Sequence, residues 1–149
     1  MITFRNITKY NYESVALLDP GKENSKYISQ NSILMLSAFY NNIFLEMKAI
    51  YNNEILIGFF MLTSEIYPIY LESFMIDKKF HSKGYGNLCI RKILRHIKFN
   101  YKVNNIFLST SNPIAFHLYE KNGFIKLNNK LADKYNKKYN EFLLVYNFL

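Results

Sequence analysis

The chain has 149 residues, 50% of them hydrophobic and 17% aromatic, with a formal net charge of +8; that is the size of one compact domain, 1–149, able to bury a core, and it excludes a disordered or fibrous chain. One cysteine, Cys89, excludes an internal disulfide, and with three His leaves no structural zinc cluster. The longest apolar run, Ile55–Leu62, is far below the roughly 20 residues of a bilayer crossing, and Met1–Arg5 alternates instead of building a signal peptide, so a cytoplasmic protein without membrane contact is expected.

In chain order, alternation over Ile2–Ile7 predicts a first strand, and a polar, helix-compatible stretch follows to Lys26. Apolar positions between Tyr27 and Tyr40 predict a helix with Ser32 as its N-cap. Phe44–Tyr51 and Ile55–Thr63 read as a hairpin around an Asn52-Asn53 turn, and Tyr67–Ile76 as a further strand. Leu88, Ile90, Ile93, Leu94 and Ile97 recur at helical spacing behind Gly84-Tyr85-Gly86. Val103–Ser109 is a strand, Asn112-Pro113 starts a helix, and Gly123 ends it. Phe124–Leu127 and Tyr139–Phe148 close the chain as strands on either side of a Lys/Asn-rich stretch. The order predicts a mixed α/β sheet with helices on its faces.

Two segments carry chemistry. In His81-Ser-Lys-Gly-Tyr-Gly86 a strand delivers the chain into a loop with two glycines that opens a helix. Unpaired N–H groups at the positive end of a helix dipole make a phosphate site, to which Lys83 adds charge. Cys89 stands where the dinucleotide fingerprint needs a third glycine, and the Gly-Lys-Ser/Thr of a P-loop is missing. In the second segment Asn112, Ala115 and Tyr119 share one side of a helix. A small residue there lets a ligand lie against it, and a tyrosine hydroxyl can give that ligand a proton.

Together the two segments resemble the GNAT acetyltransferase superfamily. Its Gln/Arg-x-x-Gly-x-Gly/Ala motif is matched by His81–Gly86, with His81 replacing the usual Gln or Arg, and its second motif by Asn112, Ala115, Tyr119, Gly123 and Phe124. The resemblance implies a mostly antiparallel sheet of six to seven strands, with a splayed central pair, and acetyl-CoA as co-substrate without a metal. It implies that Phe74, Met75 and Ile76 meet the pantetheine arm, with the Phe74 N–H as oxyanion donor. His81, Ser82, Lys83, Gly84, Tyr85, Gly86 and Asn87 would hold the pyrophosphate, His81 chiefly through its main chain. Asn112, Pro113, Ile114 and Ala115 would line the pantetheine, and Tyr119 would protonate the leaving thiolate.

Tyr70-Leu-Glu-Ser-Phe-Met-Ile76 is further similar to the strand of the spermidine/spermine acetyltransferases. That places Glu72 as the substrate-binding carboxylate and base. Ser73 stands where some relatives have another acid. The implied reaction is acetyl transfer to a primary amine of a small molecule, with a polyamine preferred. Other amines (an aminoglycoside, an amino acid, a protein N-terminus) and a non-catalytic acetyl-CoA-binding module stay open. A polycation needs a local acidic groove within a basic chain, for which Glu13, Asp19, Glu23, Glu46 and Glu65 are available. The basic surplus has no base-reading motif beside it, so nucleic acid is not expected as a partner, and a homodimer is the assembly that the resemblance suggests. Cys89 is expected in the core.

Overall fold

The computed structural model of the protein describes residues 1–65 and 67–149. Alternation at the N-terminus produces β1 (Ile2–Arg5), an edge strand antiparallel to β2 (Phe44–Asn52) with Phe4 opposite Ile50. The polar stretch that follows β1 holds two short helices, α1 (Tyr12–Ala16) and α2 (Lys22–Ser25), and α3 (Asn31–Tyr40) comes after them. Ser32 does not cap α3. The cap position is Gln30, and Asn31 is buried, giving its side-chain N–H to the Val15 carbonyl at 2.9 Å and so tying α3 to α1.

β2 continues through a hairpin into β3 (Ile55–Thr63). The turn is Asn53-Glu54, one residue later than expected, because Asn52 still pairs with Ile55; Asn53 alone of the two asparagines takes the left-handed conformation, at φ 53°. β4 (Tyr70–Ile76) runs antiparallel to β3 and starts later than the predicted Tyr67, whose ring instead stacks on Phe107 with centroids 3.9 Å apart. Gly58 faces Ile76, and a Cβ there would lie 2.5 Å from the Met75 carbonyl oxygen. Gly58→Ala must therefore push β4 away. A loss of about 1–3 kcal/mol is expected, seen as a lower melting temperature.

A 3-10 turn, Lys78–Phe80, leads to α4 (Tyr85–Tyr101), which buries Cys89, Ile90, Ile93, Leu94 and Ile97 against Phe60, Leu62 and Ile106. At roughly 1.5–3 kcal/mol for each large side chain removed from water, this face fixes the loop at the N-terminus of α4. Burial pushes the Cys89 thiol up to about 12, as suits a core residue. Val15 and Leu34 from the first and third helices cover Phe59, Met61 and Met75 on the opposite face, so helices lie on both sides of the sheet.

β5 (Asn105–Thr110) lies parallel to β4, followed by α5 (Pro113–Lys121), β6 (Ile125–Lys126), α6 (Lys130–Tyr139) and β7 (Phe142–Asn147). α6 is a helix where the Lys/Asn-rich stretch read as a connection. Asn129 caps it by accepting the Ala132 N–H at 2.8 Å, and it delays the last strand to Phe142. The seven strands form one sheet in the order β1-β2-β3-β4-β5-β7-β6. All neighbours are antiparallel except β4 and β5, which meet at the single register pair Tyr70–Phe107 among the described residues. Beyond Tyr70 the two strands part, giving the expected splayed pair.

Candidate active site

The gap between β4 and β5 widens into a cleft of about 790 Å3 that crosses the sheet from the head of β7 to the N-terminus of α4. The direction of the β4 backbone follows from one bond: the Asp77 N–H donates to the Ile57 carbonyl at 2.8 Å, toward β3. Alternation along the strand then turns the Met75 N–H toward β3 and those of Phe74 and Ile76 toward the gap. Phe74 thus offers at the splay a donor with no acceptor among the described residues. The Ile76 carbonyl faces the same way and is already engaged, accepting from His81 Nε2 at 2.7 Å. The His81 N–H is also spent, on the Lys78 carbonyl at 3.2 Å, so this residue presents the cleft with its ring and not its main chain.

Pairing between β3 and β4 slips once: Met61 faces Ser73 and Leu62 faces Leu71, leaving Glu72 as the extra residue of a bulge. A bulge re-aims side chains. Glu72 turns into the cleft, where its Oε2 accepts from Thr63 Oγ1 at 3.4 Å. The carboxylate is open to the cleft but sunk among protein atoms. That burial, reinforced by Glu141 and Glu65, pushes its pKa above the usual carboxylate range, against the opposing Thr63 bond. Next to it, the Ser73 hydroxyl is buried without a hydrogen-bond partner among the described residues.

At this end of the cleft Glu65 and Glu141 join Glu72, with the rings of Tyr67, Tyr70, Tyr135 and Tyr139 around them. Ser109 donates to Glu141 Oε2 at 2.5 Å. Having given its one proton away, Ser109 accepts from the tyrosines: its Oγ bonds Tyr70 and lies 3.0 Å from the Tyr135 hydroxyl. Tyr70 and Tyr135 are themselves 3.0 Å apart, and burial raises the Tyr70 phenol far above its ordinary value. Of the five acids available from sequence only Glu65 is here. Asp19 pairs with Lys78 at 2.6 Å, Glu23 with Lys26 and Glu46 with His96, while Glu13 accepts from Tyr12.

The opposite end is the loop before α4. Ser82 and Gly84 both have positive φ, 60° and 81°, and the helix ladder starts with Leu88 donating to the Gly84 carbonyl. The N–H groups of 85–87 are therefore left without helix acceptors, at the positive end of the dipole. Tyr85 turns its hydroxyl away to accept from Asn52 Nδ2 at 2.9 Å, and Asn87 accepts from Asn122 at 2.8 Å. Lys83 does not line the cleft. Its ammonium donates to the Lys79 carbonyl at 3.2 Å, close to the Phe80 ring. Along α5, Asn112 caps the helix by accepting the Ile114 N–H at 3.0 Å and gives its amide to Asn24 Oδ1 at 2.9 Å. Ile114, Ala115 and Tyr119 line the cleft, while Pro113 stays outside it. Tyr119 is buried, its ring edge-on to Phe124 at 5.5 Å, and burial raises its phenol well above the ordinary value.

The profile of the acetyltransferase (GNAT) family matches residues 15–124, a span that contains both the splayed strands and the loop. The chain belongs to the GNAT acetyltransferase family. Among relatives, it is 24% identical over 135 residues to the spermine/spermidine N(1)-acetyltransferase of Bacillus subtilis strain 168, covering 83% of this chain and 87% of that one. Similar solved structures include the PaiA N-acetyltransferase of Thermoplasma acidophilum with coenzyme A (TM-score 0.67, 16% identity, 99% of both chains). A second is the spermidine N-acetyltransferase of Vibrio cholerae with coenzyme A and spermine (TM-score 0.65, 21% identity, 85% of this chain and 82% of that one).

As a GNAT enzyme the protein is an acetyl-CoA-dependent N-acetyltransferase. Its own residues fit that co-substrate. The positive-φ loop leaves the N–H groups of 85–87 without helix acceptors, a place where a pyrophosphate would fit, and a Cβ on Gly84 would meet no atom within 4 Å, so the approach to the loop is open. The splay leaves the Phe74 N–H pointing into the gap without an acceptor among the described residues. Of the residues expected from sequence, Glu72, Phe74, Met75, Ile76, the loop without Lys83, Asn112, Ile114, Ala115 and Tyr119 come together in one cleft, and Lys83 and Pro113 do not line it. Glu141, Ser109, Tyr135 and Tyr139 went unpredicted. The Asn129 cap with Leu131, Tyr135 and Tyr139 at four-residue spacing was a readable helix signal; Glu141 had none, because its place depends on β7 arriving beside β5.

Proposed function

We propose that this enzyme acetylates a primary amine of a small polyamine-like molecule, by direct attack in a ternary complex. The observation that carries the reading is the meeting of Glu65, Glu72 and Glu141 with four tyrosine rings at the cleft end opposite the phosphate loop, in a chain whose net charge is +8. Carboxylates and aromatic faces are the two groups that hold alkylammonium ions. The spermine/spermidine N(1)-acetyltransferase similarity supports the same acceptor class.

Acetyl-CoA supplies the activated thioester. Around it Glu72 takes the proton of the incoming ammonium, and its pKa, raised chiefly by burial, makes it a stronger base than a free carboxylate. The neutral nitrogen attacks the carbonyl carbon, and the Phe74 N–H stabilises the developing oxyanion. As the carbon–sulfur bond breaks, the sulfur keeps the electron pair and takes the Tyr119 proton, and the nitrogen, cationic after attack, releases its second proton, which through water restores the Tyr119 phenol. Thiol release from acetyl-CoA, measured with spermidine, spermine, simple diamines, aminoglycosides and peptide N-termini, tests the reading. Highest kcat/KM is expected with the aliphatic polyamines and diamines; preference for an aminoglycoside or peptide would reassign the acceptor.

A further inference from the structure

The helix that carries Tyr119 has little apolar anchoring of its own. Across the nine residues of α5 only Tyr119 is buried, with Ala115 and Phe116 packed against the core in part. The Tyr119 hydroxyl bonds no other described residue, so the helix and the packing of its ring on Phe124 are all that aim it. A helix is ordinarily placed by the apolar face it buries. α5 is placed largely by polar ties at its two ends, and each tie is a pair of asparagines.

At the N-terminal end Asn112 donates its amide to Asn24 Oδ1 at 2.9 Å. Asn24 is held in turn, because its own amide donates to the Pro20 carbonyl at 3.0 Å. Asp19, one residue earlier, is fixed just past the end of β4: its N–H donates to Asp77 Oδ2 at 2.9 Å, and its carbonyl accepts from the Lys78 N–H at 2.7 Å. A line of bonded groups thus runs from the end of β4 through residues 19–24 to the cap of α5, joining the two lips of the splay. At the C-terminal end Asn122 donates to the Leu118 carbonyl and to Asn87 Oδ1, both at 2.8 Å, and accepts from Arg91 Nε at 3.0 Å. Those bonds tie the last turn of α5 to the first turns of α4. Tyr119 lies between the two ties in sequence, and a misplacement of about 1 Å at a reacting group can cost roughly a hundredfold in rate. Resting on the acid role given to Tyr119 above, we propose that Asn24 and Asn122 are positioning residues of the transfer step: through Asn112 and Asn87 they hold α5 where the Tyr119 hydroxyl meets the sulfur of a thioester whose oxygen is on the Phe74 N–H.

The test is a pair of double-mutant cycles read as thiol release from acetyl-CoA. In the wild-type background Asn24→Ala and Asn122→Ala should each lower kcat on the order of tenfold. In the Tyr119→Phe background each should lower it further by less than about twofold, because a misplaced acid costs nothing once the acid is gone. Asn24→Asp keeps the acceptor for the Asn112 amide and should retain most of kcat. An acyl donor with a more acidic thiol should shrink the deficit of both alanine variants, as it should that of Tyr119→Phe. Asn24 is only half-buried, so Asn24→Ala decides the matter if Asn122→Ala does not fold. Unchanged kcat in Asn24→Ala, a tenfold loss that persists on top of Tyr119→Phe, or a deficit that the more acidic thiol leaves untouched would overturn the positioning role while leaving the acid in place. Unchanged turnover in Tyr119→Phe itself would overturn the acid role, and the positioning role with it.

Discussion

Glu72→Gln is expected to lower kcat/KM by roughly 10²–10⁴-fold at neutral pH, the range of a positioned general base, and to recover as pH rises. The recovery has a definite slope. An alkylammonium with a pKa near 10 is about one part in a thousand neutral at pH 7, and the free fraction grows tenfold per pH unit, so a variant without its base approaches wild type as the solution does the deprotonation. Wild type should lose activity on the acid side as Glu72 protonates, at a pH above the usual carboxylate range, because burial and the charges of Glu141 and Glu65 raise its pKa. The same shift fixes the sign for stability. A carboxyl whose pKa is higher folded than unfolded destabilises the ionised folded protein, so at neutral pH Glu72→Gln should melt no lower than wild type. Loss of activity without loss of stability separates a missing base from misfolding. A deficit that stays constant from pH 7 to 10 would remove Glu72 from the base role.

The residues of this prediction were legible in the sequence to different depths. Glu72 was singled out because Tyr70–Ile76 is similar to the strand of the spermidine/spermine acetyltransferases, a resemblance that places a carboxylate ahead of the loop. The splay was expected too, and the parallel pairing of β4 with β5 at one register pair realises it. Burial is the first cause of the raised Glu72 pKa, and the charge of Glu141 that adds to it was not legible. Glu141 is 69 positions downstream and reaches the cleft because β7 inserts between β5 and β6, a consequence of sheet order and not of any local pattern. The same holds for charge. Lys83 is next to the loop glycines in sequence, yet its ammonium bonds the Lys79 carbonyl, since a flexible side chain at an exposed loop takes the nearest acceptor. His81 shows a third kind of miss. Its replacement of Gln or Arg suggested a main-chain role, but the 3-10 turn consumes its N–H and the gap-facing Ile76 carbonyl captures its ring. Backbone direction decides such bonds, and residue identity alone does not contain it.

Tyr119→Phe is expected to lower kcat by roughly 10²–10³-fold while acetyl-CoA affinity changes little. The split follows from the position of the side chain. The ring is packed against Phe124 on the α5 wall, and those contacts survive the substitution, which removes only the hydroxyl of a residue that lines the cleft. Burial raises the phenol well above its ordinary pKa, so it carries its proton throughout the working range. A phenol held that high is a weaker acid than a thiol near 8.5, so it gives little to the ground-state thioester and acts as the sulfur gains charge. Two consequences distinguish it from Glu72. The Tyr119→Phe deficit should be flat with pH between about 6 and 9, where the phenol does not titrate, whereas the Glu72→Gln deficit shrinks toward high pH. An acyl donor with a more acidic thiol, whose thiolate leaves unaided, should rescue Tyr119→Phe and leave Glu72→Gln unimproved. Steady-state kinetics on the two variants with both donors, beside calorimetric titration of coenzyme A, measures each arm. Unchanged turnover in Tyr119→Phe would place the leaving-group proton with bulk water, and equal rescue of both variants would mean that C–S cleavage limits the reaction regardless of the base.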